Sequence, residues 1–420
     1  MVHDGYKMTE LGEIPDDWNL TTLIKVTDVR DGTHDSPKYV SEGIPFITSK
    51  NLKNNCIDFT NINYISKDDH HKIQQRSKVD DGDILFAMIG TIGNPVIVKK
   101  EFDFSIKNIA LIKFIDSSMV NRYVLYLLDS NVIKQQFERN AAGGVQEFIS
   151  LGMIRNLKIP IPSLPEQQKI ASILSSVDET IEETEALIEK YQHVKKGLMS
   201  DLLTKGIDEE RNLRSEDTHE FKDSVLGRVP VEWDINKLGS MCNLINGYAF
   251  KPEDWKTYGL PIIRIQNLNG GTDYNYFEGE ISDNYMVPPQ TLLFSWSGNR
   301  GTSFGPYIWK GNTGLLNQHI FKVIPKNDVK SKWFYYSLDK VRERVEMIAH
   351  GGSGLVHIKR GEFIDYIIAT PSTLEQERIA EILTSTDQRI EKEEAYRDKL
   401  LEIKKGLMQD LLTGKVRVTV

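Results

Sequence analysis

Along residues 166–204, EQQKIASILSSVDETIEETEALIEKYQHVKKGLMSDLLT, apolar side chains recur at alternating spacings of three and four. They are Ile170, Leu174, Val177, Ile181, Ile188, Tyr191, Leu198 and Leu202. The pattern returns near the C-terminus over residues 375–413, carried by Ile379, Leu383, Ile390, Leu400, Leu407 and Leu411. A repeat of three and four is a heptad seam, interrupted here by polar residues such as Thr184, Lys195, Glu393 and Arg397. Each stretch begins beside Pro165 or Thr373, carries acids early and lysines late, and ends near Gly206 or Gly414. The spacing therefore predicts two helices, each roughly 55–60 Å long at 1.5 Å per residue. One apolar stripe on so long a helix needs a partner, and the other copy is the obvious one. The pair is either a self-contained spacer or a spacer that also docks other subunits.

The two stretches are copies. KKGLMSDLLT (195–204) and KKGLMQDLLT (404–413) differ only at Ser200 and Gln409, at a constant offset of 209 residues. The repeat extends into the rest of the chain. GEIPDDW (12–18) answers GRVPVEW (227–233), and GIPFITSKNL (43–52) answers GLPIIRIQNL (259–268). DILFAMIG (83–90) answers TLLFSWSG (291–298), and NIALIKF (108–114) answers NQHIFKV (317–323). Short apolar runs bounded by Pro, Gly and Asn read as strands. Residues 122–139 and 332–347 read as amphipathic helices, each followed by a glycine pair (143–144, 351–352). The fold class is α+β: two similar globular domains with a pair of long helices between them, arranged as an internal pseudo-twofold repeat. An axis crossing the helices would make them antiparallel, although the pattern alone does not force this over a parallel pair. The expected boundaries are 1–162 and 223–371 for the domains, 163–206 and 372–414 for the helices, 207–222 for a linker, and 415–420 for a tail.

Composition narrows the class. The chain has 420 residues, 40% hydrophobic and 27% charged, which suits two or three globular domains. No apolar run approaches a membrane span, the N-terminus lacks a secretory pattern, and Cys56 and Cys242 are too few for a disulfide framework or zinc site. A cytoplasmic location follows as the expectation. The net charge of −8 argues mildly against nucleic acid as a partner, but many of the glutamates sit in the two helices, so the domains can be locally basic.

A search for catalytic chemistry returns none. There is no phosphate-binding G-x-x-x-x-G-K-[ST] loop. The clusters at 90–93 and 351–354 read as turns, and Asn94-Pro95-Val96 falls short of a methyltransferase motif. His70-His71 lies in the charged run KDDHHK and reads as solvated surface, while Asp80-Asp81-Gly82-Asp83 reads as a turn into a strand rather than a calcium loop. No catalytic or metal-binding residue is expected.

The loops instead hold polar side chains suited to base edges, in matching places of both copies. In the first copy they are Thr33, His34 and Lys38, then Ser49, Lys50 and Asn51, then Thr91 and Asn94, then Lys107 and Asn108. In the second they are Tyr248 and Lys251, then Arg264, Gln266 and Asn267, then Ser297, Asn299, Arg300 and Thr302, then Asn317, Gln318 and His319. Arginine pairs with guanine and Asn or Gln with adenine, while lysines such as Lys38 and Lys251 suit phosphates. Singly, each is an ordinary solvated loop residue; their recurrence in the same loops of both copies sets them apart.

The paired openings (11–18, 226–233), the proline–strand–Asn-Leu segments, and the paired helices with Pro165-Glu166-Gln167-Gln168 and 195–204 carry a resemblance. The chain resembles the specificity subunits of type I restriction-modification systems. That resemblance implies two target-recognition domains, each reading half of a bipartite, asymmetric site on double-stranded DNA, with the helices setting the gap. It implies methyltransferase subunits, two of them, docked on the helices, and restriction/translocase subunits beside them. S-adenosylmethionine, ATP and Mg would be bound by those partners and catalysis would be theirs. The divergence of DGTHDSPKY (31–39) from NGYAFKPEDW (246–255) would give two different half-sites. Two other readings fit the residues: a specificity subunit serving a fused methyltransferase-nuclease of a type II system, and a coiled-coil adaptor without a DNA role.

Overall fold

A computed structural model of the chain describes residues 2–53, 55–90, 92–115, 118–140, 148–348 and 354–419. Two helices dominate it, Leu164–Leu202 and Thr373–Leu412. The chain forms two compact units: residues 1–185 with 395–420, and residues 186–394. Each unit therefore contains one half of each long helix. Within each, the start of one helix lies beside the end of the other, so the paired halves run antiparallel.

The first unit has a four-stranded antiparallel sheet in the order Gly93–Ile97, Ile84–Ala87, Ile109–Lys113, Asp28–Asp31. A three-stranded sheet holds Ile44–Thr48 between Ser105–Lys107, which is parallel to it, and Asn63–Ile65, which is antiparallel. The second unit repeats this plan. Its four-stranded sheet runs Gly305–Ile308, Leu292–Ser295, Ile320–Pro325, Cys242–Asn246, and Leu260–Ile263 pairs in parallel with Gly314–Leu316. The continuous apolar runs ILFA and LLFS are buried along their whole length, as strands covered on both faces must be.

The repeated sequence motifs meet in one buried constellation per unit. In the first, Trp18 Nε1 donates to Glu166 Oε2 (3.0 Å). Gln167 Oε1 accepts from Val120 N, while its Nε2 donates to the carbonyls of Ser118 and Pro162. In the second, Trp233 Nε1 donates to Glu375 Oε2 (3.1 Å), and Gln376 makes the same bonds to Lys330 N, Asp328 O and Pro371 O. Both tryptophans are fully buried, so an acid on the helix's first turn must reach each indole N–H. Each Glu also takes an arginine: Arg417 from the tail (2.8 Å to Glu166) and Arg214 (to Glu375). The stretch 207–222, expected as a linker, is thus held at its Ile207 and Arg214 against the second helix.

Of the anticipated seam, Ile170, Leu174, Ile181, Ile188, Leu202, Ile379, Leu383, Ile390, Leu400 and Leu411 are buried. Val177, Leu198 and Leu407 are only half-buried. Met199 and Met408, one residue on, occupy the buried positions in their place. The reason is that these helix ends pack on a globular core as well as on the other helix, which widens and rotates the apolar stripe. Polar layers recur too. Asp178 receives Lys404 (2.6 Å) and the Tyr126 hydroxyl (2.8 Å), and Asp387 receives Lys195 (2.6 Å) and the Tyr336 hydroxyl (2.7 Å).

Two smaller expectations are corrected. The helix expected over 122–139 is broken into Asn121–Asp129 and Asn131–Asn140 at Ser130, whose backbone is extended and whose hydroxyl donates back to Leu127 O. His70 is buried rather than solvated: it lies on the inner face of the helix Lys67–Ser77, with Nδ1 2.8 Å from Ser105 Oγ, while His71 is exposed. Among the described residues no group of three or more His, Cys, Asp or Glu could hold a metal ion.

Candidate nucleic-acid interface

In each unit the loops singled out from the sequence are stitched together at one edge of the sheets. The strand Asp28–Asp31 leads to Gly32, whose missing side chain matters: a Cβ there would stand 2.4 Å from the Ile106 carbonyl oxygen. The chain can then bond closely to its neighbours, Gly32 N to Ile109 O (2.9 Å), Thr33 N to Ile106 O (3.1 Å) and Asn108 N to Thr33 O (3.3 Å). Gly247 repeats this against Asn317, with bonds from Gly247 N to Ile320 O, Tyr248 N to Leu316 O and Gln318 N to Tyr248 O. The loop after the next strand joins the same edge, by Ser49 Oγ to Asn108 O (3.1 Å) and by Asn317 N to Ile263 O (3.2 Å). The glycine-rich loop is tied in by Asn94 Nδ2 to Leu52 O (3.3 Å) and by Trp296 N to His319 O (3.0 Å).

Strand register also revises one sequence match. Ile109 pairs with Ala87 and Ile320 with Ser295, so these two isoleucines correspond. Thr33 bridges Lys107 as Tyr248 bridges Asn317. Asn317 is therefore the counterpart of Lys107, not of Asn108. Asn108 is answered by two residues: Gln318 N makes the equivalent bond to Tyr248 O, while His319 (φ 72°) shares the left-handed backbone of Asn108 (φ 53°) at the mouth of the strand. The second unit thus has one more residue than the first at this crossing.

The candidate side chains divide into those that hold loops and those that face outward. Asn51 and Asn267 belong to the first kind. Asn51 Oδ1 accepts from Thr48 N, and its Nδ2 donates to the carbonyls of Asp58 and Asn61. Asn267 Oδ1 accepts from Arg264 N, and its Nδ2 donates to Gly271 O and Asp273 O. Both are buried, so their amides close the loop and are unavailable to a ligand. Ser49 is buried, and Asn299 supplies the carbonyl around which 302–304 turn. Ser297 and Asn299 lie on a short strand paired with Leu355–His357. Arg300 N donates to Gly354 O, and Thr302 is exposed beside it.

Lys38, Lys50, Tyr248, Lys251 and Gln266 are exposed; Gln266 Nε2 donates to Asp273 O. His34 is exposed but fixed, with Nε2 2.8 Å from Asp31 Oδ2 and Nδ1 2.9 Å from Asn108 Oδ1. Asp31 is buried and also paired with Arg76. Lys107 Nζ donates to Ser36 Oγ. His319 is packed by Trp296 (4.8 Å between ring centroids), which also meets His357 (5.0 Å). Burial first, and His357 second, push the His319 pKa below the ordinary histidine value, so the ring is neutral at pH 7 and offers a hydrogen bond rather than a charge. Thr91, and the glycine pairs at 143–144 and 351–352, lie outside the described residues.

Sequence reasoning passed over Trp255 and Trp296. Trp255 is 41% exposed, and the Arg264 guanidinium lies over its ring at 5.8 Å. An exposed tryptophan in a polar loop was the available signal, since aromatic faces stack on bases and on arginine.

Comparison with known proteins places this geometry. A Methanocaldococcus jannaschii chain that bears the name MjaX specificity subunit is 28% identical over 430 residues, covering 99% of this chain and 97% of its own. The type I restriction enzyme MjaVIII specificity subunit of the same organism is 26% identical over 358 residues, covering 81% of this chain and 80% of its own. Among solved structures, the S subunit of a type I restriction-modification system from M. genitalium superposes with a TM-score of 0.56 at 18% identity, over 96% of this chain and 97% of that one. The family described as the type I restriction modification DNA specificity domain matches residues 15–191 and again 230–402. The internal repeat is thus a repeat of that domain, and the chain belongs to the type I restriction-modification DNA specificity family.

Proposed function

We propose that this chain is the sequence-reading subunit of a type I restriction-modification complex. Each compact unit reads one half of a bipartite, asymmetric site on double-stranded DNA. The observation that carries the reading is the pairing of one scaffold with two unlike loop sets: the same glycine-dependent crossing presents His34, Lys107 and Asn108 in one unit, and Tyr248, Asn317, Gln318 and His319 in the other. Equal scaffolds hold the readers alike; unequal side chains read different bases.

In this reading the long helices set the separation of the half-sites and dock two methyltransferase subunits, with restriction/translocase subunits completing the assembly. Base methylation and DNA cleavage belong to those partners, which bind S-adenosylmethionine, ATP and Mg, and the chain itself is non-catalytic. The complex works in the cytoplasm; among the described residues no helix is long and apolar enough to cross a membrane.

The test is single-molecule methylome sequencing of a host carrying this gene with its neighbours, against the same host with the gene deleted. Loss of one bipartite methyladenine motif on deletion is the expected result. An unchanged methylome while the partner methyltransferase remains active would refute the reading.

A further inference from the structure

We propose that Arg264 is the side chain that reads a guanine in the half-site bound by residues 186–394; this rests on the DNA-reading role proposed above. Arg264 sits where Leu260–Ile263 ends and the loop edge begins. Its main chain is fixed, the N–H donating to Asn267 Oδ1 (3.0 Å) and the carbonyl accepting from Asn267 N (2.8 Å). Its guanidinium carbon lies 5.8 Å from the centre of the Trp255 ring, a cation–π contact that attracts the group without consuming its donors.

The charge is unspent. In the same unit Arg211, Arg214, Arg228 and Arg342 are each matched to a carboxylate, and Arg344 and Arg378 donate to backbone carbonyls. Arg360 and Arg389, which form no ion pair among the described residues, are exposed on helices rather than set in the loop edge. Among the described residues Arg264 has no ion pair and no side-chain hydrogen bond, and its Nε is buried without a partner. With Nε covered, the terminal nitrogens are the end left to bond. Two parallel donors at fixed spacing match the O6 and N7 of guanine in the major groove. A phosphate contact would need only a positive charge, as a lysine supplies. The first unit has Thr48 at the corresponding place, since Thr48 and Arg264 each precede the short helical turn closed by Asn51 or Asn267. The contact is therefore specific to one half-site.

The methylome assay with Arg264→Lys and Arg264→Gln tests this, using the full chain and its partner methyltransferase. A guanine in one half-site should become degenerate in both variants while the other half-site keeps its sequence. An unchanged motif with Arg264→Lys would overturn the assignment, because charge without the fork would then suffice. Should both variants abolish methylation, the wild-type complex is titrated with duplexes carrying 7-deazaguanine at each guanine in turn. One position should weaken binding by at least about fivefold, and no such position would overturn the proposal. A wild-type complex that produces no bipartite motif would instead refute the underlying DNA-reading role.

Discussion

Asn51 and Asn267 illustrate how a polar residue in a recognition loop can serve the loop rather than the ligand. Each satisfies one backbone N–H and two carbonyls from a buried position. Asn267→Ala should cost about 1–3 kcal/mol of stability, since those groups lose their partner without gaining water. Chemical denaturation of the variant would show it, and a cost below a few tenths of a kcal/mol would contradict the role. Sequence alone marks these asparagines as polar loop residues. Only the close return of the chain to Asp58 or Gly271 makes them internal, and that return has no local signature. His70 reads as solvated for a related reason, because the charged run around it hides the single face turned inward. Burial leads the causes that hold its pKa below the ordinary histidine value. The folded ring therefore stays neutral where the unfolded one begins to take a proton, near pH 6.5. Its stability contribution is full above that pH and is lost as pH falls toward the folded pKa. The melting temperature should drop between pH 7.5 and 5.5, and drop less in His70→Gln; equal slopes would refute the assignment.

The long helices were legible because a heptad seam is a long-range periodicity that local context cannot easily erase. Their ends were less so. There the apolar stripe must face both a helix and a globular core, and the buried position moves from Leu198 and Leu407 to Met199 and Met408. Leu174→Ala, at a fully buried position, should destabilise by about 2–5 kcal/mol. Leu407→Ala, at a partly exposed position, should cost less than that. Thermal unfolding of the two variants side by side distinguishes them, and equal losses would place the seam as the heptad alone suggests. The break at Ser130 shows the opposite limit. Periodicity continues through residues 122–139, yet the Ser130 hydroxyl offers Leu127 O an alternative partner and the helix stops.

At the scale of the whole molecule, reading the chain from left to right suggests domain, helix, linker, domain, helix. The compact units instead take residues 1–185 with 395–420, and 186–394. Hydrophobic patterns reveal which faces are buried but not which half of a helix completes which core. Met408, Leu411 and Leu412 close the core around Trp18, and Arg417 pairs with Glu166 and Asp17 there. A chain ended at Glu394 should therefore lose hydrogen-exchange protection in residues 1–185, although every deleted residue is distant in sequence. Protection in 186–394 should persist. Loss confined to the new C-terminus would refute this interdependence.

The same interleaving sets an order of maturation on the ribosome. Residues 186–394 form one uninterrupted segment and can close soon after they emerge, whereas the first unit must await the final turns of the second helix. At synthesis rates of about 5–20 residues per second, that wait is on the order of 10–45 s. Throughout it, the apolar surface that Met408, Leu411 and Leu412 will cover is open. The first unit is thus completed after the second, although most of its residues are made before it.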